Sequence, residues 1–198
     1  MFQLGKILVL SLVSSFGTYA IAANAVGNAI ALFVILPGMA INLAVTTVIA
    51  RCVGAGDYEQ VKYYNKKFLI IVHTGVTIMV CGIFSILPFI IRAYNLSDAA
   101  AEATTQIIHF HGISTILIWP SSFTLPATFR ASGDVKACMY ISIFSMWIFR
   151  VIFSYILGKY LNMGVFGVWV AMVIDWVFRG ICFWIRYFRG TWRKKALV

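Results

Sequence analysis

The chain has 198 residues, of which 62% are hydrophobic and only 11% charged, and its mean hydropathy is +0.92. Soluble domains carry about 25% charged residues, so the composition excludes a water-soluble globular fold and points to bilayer-spanning helices. The net charge of +10 is read as Lys and Arg gathered on cytoplasmic loops rather than as a phosphate-binding surface, so nucleic acid is not an expected partner.

The expected architecture is an all-α membrane protein of six transmembrane helices in one lobe. The spans fall at about 2–19, 24–50, 60–91, 98–129, 134–158 and 164–186, with a basic cytoplasmic tail at 187–198. In the first, Lys6 precedes the apolar run Ile7 to Val13, and Ala20-Ile21-Ala22 behind it resembles a signal-peptide cleavage site. More membrane sequence follows, so the segment reads as a short first span.

The second span holds Pro37-Gly38, where a missing N–H and a flexible residue predict a kink. Asn28 and Asn42 lie 14 residues apart, near four turns, and share a face. Both are candidates for a substrate or ion path.

Arg51-Cys52-Val53-Gly54-Ala55-Gly56-Asp57 closes that span, and Arg130-Ala131-Ser132-Gly133-Asp134 repeats the pattern 77 residues later. In each, Gly suits a left-handed backbone and the Asp, Asp57 or Asp134, is expected to cap the next helix. Asp57-x-x-Gln60 fits a capping box, and Glu59 is spaced to pair with Lys62.

The fourth span is the most polar. Gln106, Ser114, Trp119, Ser121 and Thr124 are its path candidates, and Pro120 and Pro126 its expected kinks. Such a helix suits a water-accessible cavity better than a lipid face. His109 and His111 are read as solvated residues near its outer end.

Arg150 falls inside the fifth span, and Asp175 and Arg179 inside the sixth. Asp175 is the only acid well inside a span, Asp98, Glu102 and Asp134 lying at helix starts, and such a residue is a functional hypothesis by default. The favoured reading is a structural ion pair of Asp175 with Arg179 or Arg150, and the alternative is a proton or cation site. No metal site and no cofactor are expected. The four cysteines, Cys52, Cys81, Cys138 and Cys182, form no C-x-x-C pair and read as small hydrophobes. No Walker loop, nucleophile motif or H-E-x-x-H occurs, so an enzyme is not expected.

With six spans, twelve Lys and Arg fall on the side of the two Gly-Asp loops and two, Arg92 and Lys159, on the other. The positive-inside rule then makes both termini cytoplasmic.

The run Phe16 to Asn24, the loop Arg51 to Asp57, Pro120 before Arg130 to Asp134, and Ile174-Asp175-Trp176 with Arg179 together resemble the MATE (multidrug and toxic compound extrusion) transporters. The match is to their carboxy-terminal six-helix lobe. The resemblance implies a cation-coupled antiporter, driven by Na⁺ or H⁺, in a bacterial cell membrane. It would expel amphipathic organic cations by rocking two lobes, so its partners would be the lipid bilayer and a second six-helix lobe, from another chain or a homodimer. Family members have twelve helices. An acid that many carry early in the seventh would fall before Met1, and the fourth span lacks the acid that some carry in the tenth. The first span is therefore expected to be truncated and the coupling site incomplete. A transporter fragment or scaffold without transport is the alternative, with a flippase of the same superfamily as the second transporter reading. Ser114, Ser121 and Thr124 facing a shared cavity favour transport; their burial between helices favours a scaffold.

Overall fold

A computed structural model describes residues 2–190 and 192, and every regular element in it is helical. The helices are α1 (Phe2–Ser14), α2 (Thr18–Gly54), α3 (Tyr58–Ala93), α4 (Asp98–Trp119), α5 (Leu125–Ala131), α6 (Val135–Ser145), α7 (Phe153–Tyr155) and α8 (Gly164–Arg189). A π turn at Pro120–Thr124 joins α4 to α5, and π turns at Met146–Ile152 and Ile156–Tyr160 flank α7. Six rods result: α1, α2, α3, the α4–α5 rod, the α6–α7 rod and α8.

Among the described residues, four helical segments are long and apolar enough to cross a membrane: Thr18–Gly54, Tyr58–Ala93, Val135–Tyr160 and Gly164–Arg189. Gln3–Ser14 is apolar but short. The 37 residues of α2 reach about 55 Å at 1.5 Å per residue, well beyond a hydrocarbon core of about 30 Å. Large apolar side chains are widely exposed, among them Leu43, Ile78, Phe89 and Leu117. Water would penalise such a surface, whereas lipid accepts it. This is a multi-pass membrane protein.

The boundaries depart from the expected spans where the backbone permits. The first turn comes at Gly17, at φ 101, not after residue 19, so α2 begins six residues early and Asn24 lies inside it. Ala20 and Ala23 are fully buried in that extension.

The two Gly-Asp loops are built alike. Gly56 and Gly133 lie at φ 73 and 80. Gly56 N–H donates to the Val53 carbonyl and Asp57 N–H to that of Cys52; Gly133 and Asp134 repeat this with Arg130 and Phe129. Each is a Schellman stop whose last residue opens the next helix. Asp57 accepts from Gln60 N–H at 3.0 Å, and Glu59 meets Lys62 at 2.5 Å. Asp134 corrects the expectation of a second cap. It stands at the N-cap position without a side-chain cap bond, and its carboxylate instead accepts from Arg186 on α8. That contact ties the loop to the last helix.

The three prolines sit differently in their helices. Pro37 lies inside an uninterrupted α2, with its Cβ 3.5 Å from a Cβ built on Gly75 of α3. Pro120 opens the π turn and Pro126 sits in the first turn of α5, so the fourth rod widens by a π turn. A proline lacks the N–H of a regular ladder, and π turns are a recognised way to absorb that.

α2, α3 and the α4–α5 rod pack together, α8 lies against α4 and the α6–α7 rod, and α1 leans on the α6–α7 rod. Two apolar clusters hold them. One includes Val13, Val72, Ile107 and Trp169; the other, at the Gly-Asp end, includes Ile49, Phe129, Phe183 and Trp192. Arg193, Lys194 and Lys195 of the basic tail lie outside the described residues.

Candidate functional site

A cavity of about 730 Å³ opens where α1, α2, the α4–α5 rod, the α6–α7 rod and α8 converge. Helical spacing selects its lining. From α2 come Asn24, Asn28, Ala31, Ile35, Met39 and Asn42; from the fourth rod Trp119, Ser122, Phe123, Pro126 and Arg130. These recur every three or four residues, which places each set on one face. α8 contributes Trp169, Met172, Trp176 and Arg179 in the same rhythm.

The wall is aromatic and tightly keyed. Trp119 stacks on Phe123, with centroids 5.2 Å apart and planes at 16°, and Phe123 meets Trp176 edge-on at 5.6 Å. A Cβ added at Gly38 would lie 2.3 Å from the Trp119 ring, so the indole lies directly against bare α2 backbone. Trp169 Nε1 donates to Asn24 Oδ1 at 3.2 Å, and Ser122 Oγ to the Trp176 carbonyl at 2.5 Å. These bonds fix α8 against α2 and against the π turn. Asn42 Oδ1 and the Trp176 and Arg179 ring and guanidine N–H groups, Nε1 and Nε, are buried without a partner among the described residues.

Of the path candidates, Asn28, Asn42 and Trp119 line the cavity. Gln106 is exposed elsewhere, and Ser114 and Thr124 are buried within the bundle. Ser121 is half-buried and also absent from the lining, whereas its neighbour Ser122 is present. The fourth rod therefore does face the cavity, but through the face of Trp119, Phe123 and Pro126. Ser114, Ser121 and Thr124 therefore do not share the cavity, and the burial of Ser114 and Thr124 is the arrangement expected of hydroxyls that pack between helices; helical register decides which residues of the rod point inward.

Asp175 is fully buried and stands one layer behind the lining. It accepts from Arg179 one turn on and from Ser145 Oγ of α6. Arg150 does not reach Asp175 as an ion pair; it lines the cavity separately. Arg179 lies 5.0 Å from the centroid of Phe123. His109 is exposed and its Nδ1 lies 2.8 Å from the Thr105 carbonyl. His111 corrects the expectation of a solvated residue: it is 3% exposed, lines the cavity, and packs edge-on to Trp169 and Trp176 at 5.1 and 5.3 Å. No group of three or more His, Cys, Asp or Glu suited to a metal occurs among the described residues.

Residues 1–156 match the MatE family model. The chain is 28% identical over 203 residues to a probable multidrug resistance protein, YoeA, of Bacillus subtilis, covering 99% of this chain and 42% of that protein. It is 23% identical over 198 residues to a probable multidrug resistance protein, NorM, of Thermotoga maritima, covering 100% of this chain and 42% of that one. In fold it is similar to a solved MOP superfamily transporter from Pyrococcus furiosus, with a TM-score of 0.82 at 20% identity, over 98% of this chain and 42% of that one. The chain thus spans less than half the length of these relatives. With more than three quarters of its residues in the family match, the chain belongs to the MatE family.

Proposed function

We propose that this chain is one lobe of an efflux transporter, the carboxy-terminal one, and that it transports only when joined to a second lobe. The observation that carries this reading is the cavity. Single faces of α2, the α4–α5 rod and α8 converge on it, in a chain that spans 42% of its multidrug-resistance relatives. A transporter that rocks two lobes around a central site needs the opposite wall.

The family resemblance supports coupling to Na⁺ or H⁺ in a bacterial cell membrane, with both termini cytoplasmic. This lobe offers little for the coupling ion. Its one carboxylate at membrane depth, Asp175, already accepts from Arg179 and Ser145. Both of its oxygens are thus already engaged within the bundle. The coupling carboxylate is therefore assigned to the second lobe.

The test is resistance in a drug-sensitive bacterium stripped of its own exporters. The chain is expressed alone and together with the part of the Bacillus subtilis relative that it does not match. Resistance and energised dye efflux are expected only for the pair. Loss of efflux on dissipating either the Na⁺ or the proton gradient identifies the coupling ion.

A further inference from the structure

We propose that the cavity takes an amphipathic anion, such as an aromatic or long-chain carboxylate, sulfonate or phosphate ester, rather than an organic cation. This rests on the lobe reading given above and names the substrate class of the same site.

Charge carries the argument. Lys6, Arg130, Arg150 and Arg179 line the cavity, and no Asp or Glu does. The six acids of the chain are placed elsewhere. Asp57, Glu59 and Asp134 sit at the Gly-Asp loops, Asp98 and Glu102 at the start of α4, and Asp175 behind Arg179. Even with Asp175 set against Arg179, three basic residues of the wall keep no carboxylate within ion-pair distance among the described residues. A unit charge held about 6 Å from one guanidinium, at an effective dielectric of about 20, changes affinity roughly a hundredfold, against a cation and in favour of an anion.

Loop topology accounts for Lys6 and Arg130, which lie toward the ends of their helices. It does not account for Arg150 and Arg179. By helical rise these lie about 22 and 15 Å in from the Gly-Asp end, at the depth where a charge is costly in lipid and marks a pathway. The three cations Arg130, Arg179 and Arg150 thus mark successive depths along one wall.

The unpartnered groups agree with the charge. Trp176 Nε1 and Arg179 Nε are buried donors with no acceptor among the described residues, and both residues line the cavity. A buried donor without a partner is costly, and an oxyanion on a ligand would satisfy both. Asn42 Oδ1, the unpartnered acceptor, belongs to an amide that also offers two donors. Opposite these, the Trp119–Phe123 stack and the flexible Met146 and Met172 supply an apolar, polarisable surface for the rest of the molecule.

The full chain in phosphatidylcholine nanodiscs is titrated with two dyes of the same ring system, anionic carboxyfluorescein and cationic rhodamine 123, and binding is read by fluorescence anisotropy. Carboxyfluorescein is expected to bind at least tenfold more tightly. Arg150→Gln should weaken it about fivefold or more, with rhodamine 123 unchanged or improved. Arg130→Gln, at an exposed position, should act in the same direction and serves if Arg150→Gln folds poorly. Equal or tighter rhodamine 123 binding, no binding of carboxyfluorescein, or indifference of carboxyfluorescein to both substitutions overturns the proposal. Replacing a tenth of the lipid with phosphatidylglycerol identifies the source of the anion: competition means a lipid, and no competition means a soluble solute. Should carboxyfluorescein bind as expected while the paired lobes export nothing, the transporter reading fails and the anion preference stands.

Discussion

Arg179 reaches back one turn of α8 to Asp175, and both side chains are buried, the carboxylate completely. Ser145 Oγ donates to the same carboxylate from α6, so one acid joins the last helix to the preceding rod. Removing one partner of a buried ion pair costs about 3 kcal/mol or more, because the other charge is left uncompensated. Asp175→Asn should therefore lower the yield of folded protein and the thermal midpoint in detergent. It should leave the pH dependence of transport by the paired lobes unchanged. A well-folded variant with a shifted pH profile would make Asp175 a coupling site instead.

Thr128 Oγ1 donates to Asn65 Oδ1 at 2.7 Å, joining α5 to α3 with both residues buried. Thr128→Val keeps the shape and deletes the donor. The cost of leaving a buried amide oxygen unsatisfied is about 1–3 kcal/mol. A thermal midpoint within error of the parent would show that water replaces the hydroxyl.

Gly38 lets the Trp119 ring lie on α2, and an added Cβ there would fall 2.3 Å from it. Gly38→Ala must push the indole toward the cavity, at a cost of about 1–3 kcal/mol. Gly82, with nothing within 4 Å of an added Cβ, is the control. Gly82→Ala should be neutral or slightly stabilising. The expected result is a changed tryptophan emission and weaker carboxyfluorescein binding for Gly38→Ala alone.

At Gly167 of α8 an added Cβ would lie 2.8–2.9 Å from backbone atoms of Leu157 and Gly158. Small residues permit such close helix approach in membranes. Gly167→Ala has no flexible side chain to displace, so it should separate the two rods and lower the folded yield more than Gly38→Ala does. Size-exclusion profiles of the two variants compare them directly.

Each sequence signal reports a different physical property of the chain. Long uncharged runs report membrane crossing directly, so the helical class and the rods emerged from composition and the Gly-Asp punctuation. The two loops resolve as matched Schellman stops because Gly at a left-handed position leaves few alternatives. Asp134 shows the limit: its N-cap position is visible locally, but Arg186 lies 52 residues away and takes the carboxylate. The cavity shows the same limit. The fourth span is rich in Ser and Thr, yet a helix hydroxyl can bond the carbonyl four residues earlier, as Thr104 and Thr115 do, or stay unpartnered within the bundle, as Thr124 Oγ1 does among the described residues, without facing a cavity. The residues that line the cavity are set by register against α2 and α8. Arg150 and Arg179 are visible as charges at membrane depth; that both line one wall, Arg179 held by Asp175 behind it and Arg150 with no carboxylate in ion-pair distance, is a property of the packing.

On the proposed function this lobe transports only in company. Its most direct test is dye efflux from everted vesicles, or from a bacterium lacking its own exporters, with the chain expressed alone and with the complementary lobe. No efflux above background is expected for the chain alone, and gradient-driven efflux is expected for the pair. Efflux by the chain alone, with no partner protein, would contradict it.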